Sequence, residues 1–229
     1  MTTIYVKDKD KLPERRENDH YPTEMTLVNA ILRRYAPSHG GLVLDIGAGD
    51  GRWAAIASWL FYPHILSAAM IDIKKPKHVF KFPSDVHTKY YEEDFLGMEI
   101  SPLFDLVLSN PPYYIAEECI RKGWECLAPG GRMIMLLRLS FLAGIGRVKG
   151  LWEEIPPSKV AVCSRRPSFY GGKTSGTDFA VYIWDKKLSG NPEGTRGQFD
   201  GSFIYYDRDT SPDTQEKLLK LTGHPSYRL

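Results

Sequence analysis

The sequence predicts a doubly wound α/β domain: a mostly parallel sheet with helices on both faces. Three observations predict it. Short apolar runs of strand length alternate with amphipathic segments of helical period between residues 20 and 185. A glycine loop, Gly47-Ala48-Gly49-Asp50-Gly51, follows the first apolar run. Polar residues then recur where successive runs end, at Asp72, Asp94 and Asn110. In such sheets ligands sit outside the carboxyl ends of the strands, so these residues are expected to share one edge.

Taken in order, residues 1–19 read as a charged arm. Thr23 is the expected N-cap of a helix through Tyr35, with Leu27, Val28, Ile31 and Tyr35 on one face. Leu42–Ile46 reads as a buried strand and Gly51–Leu60 as the helix after the glycine loop. Ile65–Ile71 is a second strand, ending at Asp72. A basic stretch follows, Lys74, Lys75, Lys77, His78 and Lys81, read as a solvated loop. Tyr90 and Tyr91 belong to a short strand whose exit carries Asp94. Phe104–Ser109 is a strand that delivers Asn110. Ile115–Leu127 is an amphipathic helix with Glu117/Arg121, Glu118/Lys122 and Arg121/Glu125 at i,i+4 outside and Cys119 and Cys126 inside. Pro129-Gly130-Gly131 stops it. Met133–Leu137 is a strand, Arg147–Glu154 a helix, and Lys159–Ser164 and Phe179–Trp184 late strands. Residues 186–229 form a polar extension.

At 229 residues the chain suits one domain with a full core. A net charge of +2 is too small to indicate a nucleic-acid partner by itself. The 3 cysteines form no CxxC pair, which disfavours a disulfide framework or a zinc site and fits a reducing cytosol. No apolar run approaches the roughly 20 residues of a membrane helix. A soluble cytoplasmic protein is expected, with no membrane partner and no metal.

The glycine loop differs from a dinucleotide fingerprint, whose third glycine comes three positions after the second. Here it comes two after, at Gly51, and Asp45 precedes the loop. A carboxylate there repels a pyrophosphate but accepts from an ammonium group, which favours S-adenosylmethionine. Asp72 suits bidentate acceptance from two ribose hydroxyls. Ile73 is set to cover the adenine face, and Asp94 to accept from the adenine amine with Phe95 packed nearby. The expected cofactor contacts are therefore Asp45, Gly47, Gly49, Gly51, Asp72, Ile73, Asp94 and Phe95. This pattern resembles the class I S-adenosylmethionine-dependent methyltransferases over residues 20–185. The resemblance implies a Rossmann-like sheet of seven strands with one antiparallel strand near the edge.

The second motif is Asn110-Pro111-Pro112-Tyr113. An amine conjugated to a ring is a poor nucleophile, and two acceptors aimed at its two N–H groups let density build on nitrogen. The Asn110 side-chain oxygen and the Pro111 carbonyl are the expected acceptors. Consecutive prolines, Pro111 and Pro112, stiffen that backbone, and Tyr113 offers a ring to stack on a planar acceptor. The clamp resembles that of amino-methyltransferases acting on adenine N6 and of those acting on glutamine amides.

Other segments favour adenine in DNA. Tyr21-Pro22-Thr23 resembles the Tyr-Pro-Thr-Pro opening of compact adenine methyltransferases of phages and bacteria, with Glu24 in place of the second proline. This implies Tyr21 and Thr23 beside the cofactor. Leu137–Leu142, Arg165-Arg166-Pro167-Ser168-Phe169, Gly171-Gly172, Thr177-Asp178 and Tyr182–Trp184 resemble that family's fifth strand and late hairpin. The likeness implies Phe169 as the second wall of a pocket for a flipped base, with Tyr170 as its alternative, and Arg165 and Arg166 on phosphates. DNA is the expected partner and RNA an alternative. The competing functions are transfer to an RNA adenine or a protein glutamine, and a non-catalytic scaffold that binds nucleic acid.

Overall fold

The run Leu42-Val-Leu-Asp-Ile46 lies at the centre of the sheet because its apolar residues face both ways. Val43 joins the buried side chains of one face, Leu44 and Ile46 those of the other. A strand buried on both faces reads as an unbroken apolar run. The computed structural model describes residues 22–38, 41–101, 103–170, 173–187, 189–190 and 200–204.

The order is α1 (Met25–Tyr35), β1 (Leu42–Ile46), α2 (Arg52–Leu60), β2 (Ser67–Asp72), β3 (His87–Glu92), β4 (Phe104–Ser109), α3 (Ala116–Cys126) and β5 (Leu127–Arg138). Two single-turn helices follow, α4 (Ile145–Val148) and α5 (Leu151–Glu154). Then come β6 (Lys159–Cys163), the hairpin β7 (Ser168–Tyr170) and β8 (Lys173–Thr174), β9 (Phe179–Asp185) and β10 (Asp200–Ile204). The sheet has 8 strands in the order β10-β6-β9-β5-β4-β1-β2-β3. β9 runs antiparallel to both β5 and β6, and the other pairs are parallel.

The doubly wound prediction holds, with one strand more than expected. Seven strands account for residues 42–185. The eighth, β10, comes from the polar extension and pairs with β6 from Asp200↔Lys159 to Ile204↔Cys163. Tyr35 Oη and Ser202 Oγ, 3.1 Å apart, tie it to α1.

One face of the sheet is covered by α1 and α2, which bring Leu27, Val28, Ile31, Leu32, Trp53 and Ile56 against Leu106, Leu108, Ile134 and Leu136. The other is covered by α3 and α5, with Cys119, Ile120, Leu151 and Trp152 against Val107, Met133, Met135 and Leu137. The alternation along β4 and β5 is the two-residue period of a strand. Each such large aliphatic side chain contributes about 1.5–3 kcal/mol on burial.

Two expectations for helices change. α1 starts at Met25, and Thr23 is not its cap; Glu24 holds that position without a side-chain capping bond. The helix expected over 147–154 is two short turns separated by Lys149 and Gly150. On α3, Arg121 bonds Glu117 at 3.2 Å and Glu154 of α5 at 2.6 Å.

The chain winds from β1 through β2 to β3 on one side, then crosses to β4 on the other. β1 and β4 are neighbours, paired from Val43↔Leu106 to Ile46↔Ser109. That reversal puts the glycine loop and the Asn110 motif side by side at the carboxyl edge, where such sheets open a crevice.

Candidate active site

The glycine loop is bent by its backbone. Gly47, Gly49 and Gly51 have φ of 64°, 54° and 76°, a region that costs other residues free energy. At Gly51 a β-carbon would also lie 2.7 Å from Met70 Sδ. Ala48 N–H donates to the Ile71 carbonyl at 3.0 Å and Gly49 N–H to Asp72 Oδ2 at 3.0 Å. Tyr90, from β3, donates its hydroxyl to the Gly49 carbonyl at 2.8 Å. Burial, reinforced by the charges of Asp72, Asp45 and Asp50, holds the Tyr90 hydroxyl well above its ordinary pKa, so it remains a donor.

Gly47 abuts the second motif. A β-carbon there would stand 3.9 Å from the Asn110 carbonyl and 4.0 Å from Pro111 Cα. Ser109 Oγ donates to the Ile46 carbonyl at 2.7 Å and locks the two strand ends together.

Between these motifs lies a cavity of about 260 Å³. Of the sequence-predicted residues, Thr23, Gly47, Gly49, Asp72, Ile73, Asp94, Phe95, Asn110 and Pro112 line it. Asp72 is buried and Asp94 exposed. Asp94 also accepts from Leu96 N–H at 3.0 Å, which caps the 3-10 turn over Phe95–Gly97. Ile73 is 46% exposed, an apolar surface left open beside a carboxylate.

Asp45 does not line the cavity. It lies fully buried behind the loop, where Oδ2 accepts from Ala54 N–H of α2 at 3.1 Å. Oδ1 has no hydrogen-bond partner among the described residues. Burial pushes its carboxyl well above the ordinary range; the Ala54 bond opposes this, and the charges of Asp50 and Asp72 add to it. The Ala54 bond seats α2 on the loop.

The clamp is built from three elements. Asn110 Nδ2 donates to Thr23 Oγ1 at 3.0 Å, and Trp53 Nε1 donates to the same oxygen at 3.3 Å. This is the work Thr23 does instead of capping α1. Tyr113 Oη donates to Asn110 Oδ1 at 3.2 Å, which takes one of that oxygen's two lone pairs. The Pro112 carbonyl accepts from Ile115 N–H at 3.1 Å, whereas the Pro111 carbonyl has no such partner among the described residues.

Tyr113 stands outside the cavity lining, with Phe179 5.6 Å away by ring centroids and the Arg138 guanidinium 4.9 Å over its ring. Phe169 is buried at 7% exposure and packs edge-on to Phe179 at 5.1 Å. Phe179 therefore touches both rings that were expected to sandwich a base, because Arg138↔Phe179 pairing brings β9 alongside the clamp. Arg165 and Arg166 are exposed, and Arg166 bonds Asp178 at 2.7 Å. Neither lines the cavity. Tyr21 and Gly171-Gly172 lie outside the described residues, as does the side chain of Tyr170.

Sequence reasoning missed a buried ion pair. Asp50 and Arg52, both 5% exposed, are joined through Arg52 Nε and Asp50 Oδ1 at 2.9 Å and by a second bond between Nη2 and Oδ2. Arg52 Nη1 also donates to the Thr23 carbonyl. The pair couples the loop to the segment that orients Asn110, and both residues line the cavity with Tyr114 and Cys119. The only signal in sequence was an acid and a base two apart where the loop enters a helix.

No family model matches the chain, and no curated protein matches it. Solved structures do. A Listeria monocytogenes protein described as a candidate class I S-adenosylmethionine-dependent methyltransferase matches with a TM-score of 0.59 at 11% identity, over 90% of this chain and 72% of that one. The methyltransferase subunit of a type I restriction-modification system from Streptococcus thermophilus matches with 0.57 at 14% identity, over 88% and 52%. A dimethyladenosine transferase from Plasmodium falciparum matches with 0.52 at 20% identity, over 75% and 65%. The chain has the fold of class I methyltransferases.

Proposed function

We propose that this chain transfers a methyl group from S-adenosylmethionine to the exocyclic N6 amine of adenine in DNA. The observation that carries the reading is the abutment of the two motifs. Asn110, oriented by Thr23, and Pro112 line one cavity with the glycine loop and Asp72, and Pro111 Cα lies 4.0 Å from a β-carbon placed at Gly47.

The cavity suits that cofactor. Asp72 offers a buried carboxylate to ribose hydroxyls, Ile73 and Phe95 offer apolar cover to a base, and Asp94 stands at the far end for its amine. When bound, the cofactor supplies an electrophilic methyl carbon on a sulfonium. The protein's part is placement and electrostatics. Asn110 Oδ1 and the Pro111 carbonyl accept from the two N–H groups of the adenine amine. With that cofactor bound, transfer would form the N–C bond as the S–C bond breaks and its electrons pass to sulfur; the two acceptors would stabilise the positive charge that develops on the amine. Holding the nitrogen in line with the methyl adds the entropic part of the acceleration. The extra proton then leaves to water, so no strong base is required.

Adenine in DNA is favoured by the resemblance of residues 137–142 and 165–184 to compact adenine methyltransferases. The names of two structural neighbours, a restriction-modification methyltransferase subunit and a dimethyladenosine transferase, agree with a nucleic-acid acceptor. The test is labelled methyl transfer to duplex DNA, single-stranded DNA, RNA and glutamine-containing protein, followed by identification of the modified group. N6-methyladenine in DNA is the expected product. Label in RNA or on glutamine alone would replace this reading with the corresponding alternative. No transfer, together with no cofactor binding, would favour a scaffold.

A further inference from the structure

The guanidinium of Arg138 is unusually placed. It ends β5 at the same sheet edge as the clamp, its residue is exposed, and it lies 4.9 Å over the Tyr113 ring. It makes no hydrogen bond or ion pair among the described residues. Nearby cations are engaged. Arg52 is paired with Asp50, Arg166 with Asp178, and Arg147 bonds the carbonyls of Phe141 and Ala143 at 2.9 and 2.6 Å.

An arginine without a carboxylate, beside a tyrosine that bonds Asn110, has its fork of donors available for an anion. A cation over a ring at an exposed site is a weak contact, readily exchanged for a charge-assisted bond. A nucleotide's phosphate lies one ribose away from its base. A cation beside the ring that stacks the base is therefore also beside that phosphate.

Building on the function proposed above, we infer that Arg138 is a substrate-binding residue that rests on Tyr113 in the free protein and moves to the backbone phosphate of the target nucleotide. An acceptor that stacks on the covered face of Tyr113 displaces the guanidinium, so base entry and phosphate capture are one exchange. Specificity for a polynucleotide over an isolated base or an amide follows from that exchange, since only a nucleotide brings the phosphate with the ring.

The experiment measures KM for duplex DNA against salt for the wild type, Arg138→Gln and Arg138→Lys, with cofactor affinity by calorimetry as the control for folding. In Arg138→Gln, KM is expected to rise about tenfold, the loss of one hydrogen bond to a charged group. The slope of log affinity on log salt falls by about one. Arg138→Lys keeps the slope because it keeps the charge. Loss of kcat in both variants with an unchanged salt slope would overturn the proposal and make Arg138 a packing residue for Tyr113. An unchanged KM and slope in Arg138→Gln would also overturn it. A wild type inert on DNA but active on another acceptor would instead overturn the function it rests on.

Discussion

Asn110 and Thr23, 87 residues apart in sequence, are joined by a 3.0 Å hydrogen bond from Nδ2 to Oγ1. The bond decides which end of the amide faces the clamp. With the NH2 group turned to Thr23, the carbonyl oxygen accepts from Tyr113, and in the proposed reaction it also faces the acceptor amine. Trp53 donates to the same threonine oxygen and so fixes it from the side of α2.

Thr23→Val keeps the shape and removes the acceptor. Misplacement of a reacting group by about 1 Å can cost about 10²-fold in rate. A fall of that order is expected in the single-turnover rate of methyl transfer, with a far smaller change in cofactor affinity by calorimetry. Thr23→Ser, which retains the hydroxyl, should restore most of the rate.

The Asp50–Arg52 pair is buried, and removing either residue takes from the other a buried charge to which it is bonded. Arg52→Ala and Asp50→Ala should each destabilise the fold by about 3–5 kcal/mol, read from urea unfolding. The double variant should lose less than the sum of the two, because both single changes remove the same ion pair. Simple additivity would contradict the direct coupling of Asp50 to Arg52.

Asp45 gives a pH dependence of known sign. Its carboxyl is held well above the ordinary value, chiefly by burial. The folded protein therefore holds this proton more tightly than the unfolded chain does. Its contribution is greatest below the unfolded value, about 3.9, and is lost as pH rises from there through the raised folded value. Asp45→Asn keeps an acceptor for Ala54 and removes the titration. The stability of wild type relative to this variant should fall with rising pH across that window; a flat difference would show that Asp45 titrates normally.

The three described thiols are buried. Burial pushes Cys126 up to about 11 and Cys163 up to about 12, and raises Cys119 as well. Since the thiolate is the reactive form, native protein at pH 8 should label with an aromatic disulfide reagent only at the rate of unfolding. Fast labelling of Cys119, which lines the cavity, would show that the cleft opens further than described; protection of that thiol by added cofactor would then locate the ligand.

Much of the edge was legible in the sequence because it rests on local rules. β1 and β4 match their expected bounds, Leu42–Ile46 and Phe104–Ser109, since an apolar run buried on both faces admits one reading. Asp72, Asp94 and Asn110 arrive at one edge because parallel strands all end on the same side. What escaped was set by contacts between distant segments. Thr23 looks like a cap within its own neighbourhood, and only the crossing of Trp53 and Asn110 shows otherwise. The packing of Phe169 on Phe179 could not be read from its own segment, because β9 brings Phe179 to it from elsewhere in the chain. The eighth strand was hidden because Asp-Gly-Ser-Phe-Ile, residues 200–204, has too little apolar alternation to signal an edge strand.

The proposed function requires Asn110 to grip the amine of a planar acceptor opposite a donor held by Asp72. A crystal structure with S-adenosylhomocysteine tests it most directly. Ribose hydroxyls are expected on the Asp72 carboxylate, the adenine between Ile73 and Phe95, and the sulfur turned toward Asn110. A ligand bound away from this edge, or one whose sulfur faces away from Asn110, would contradict it.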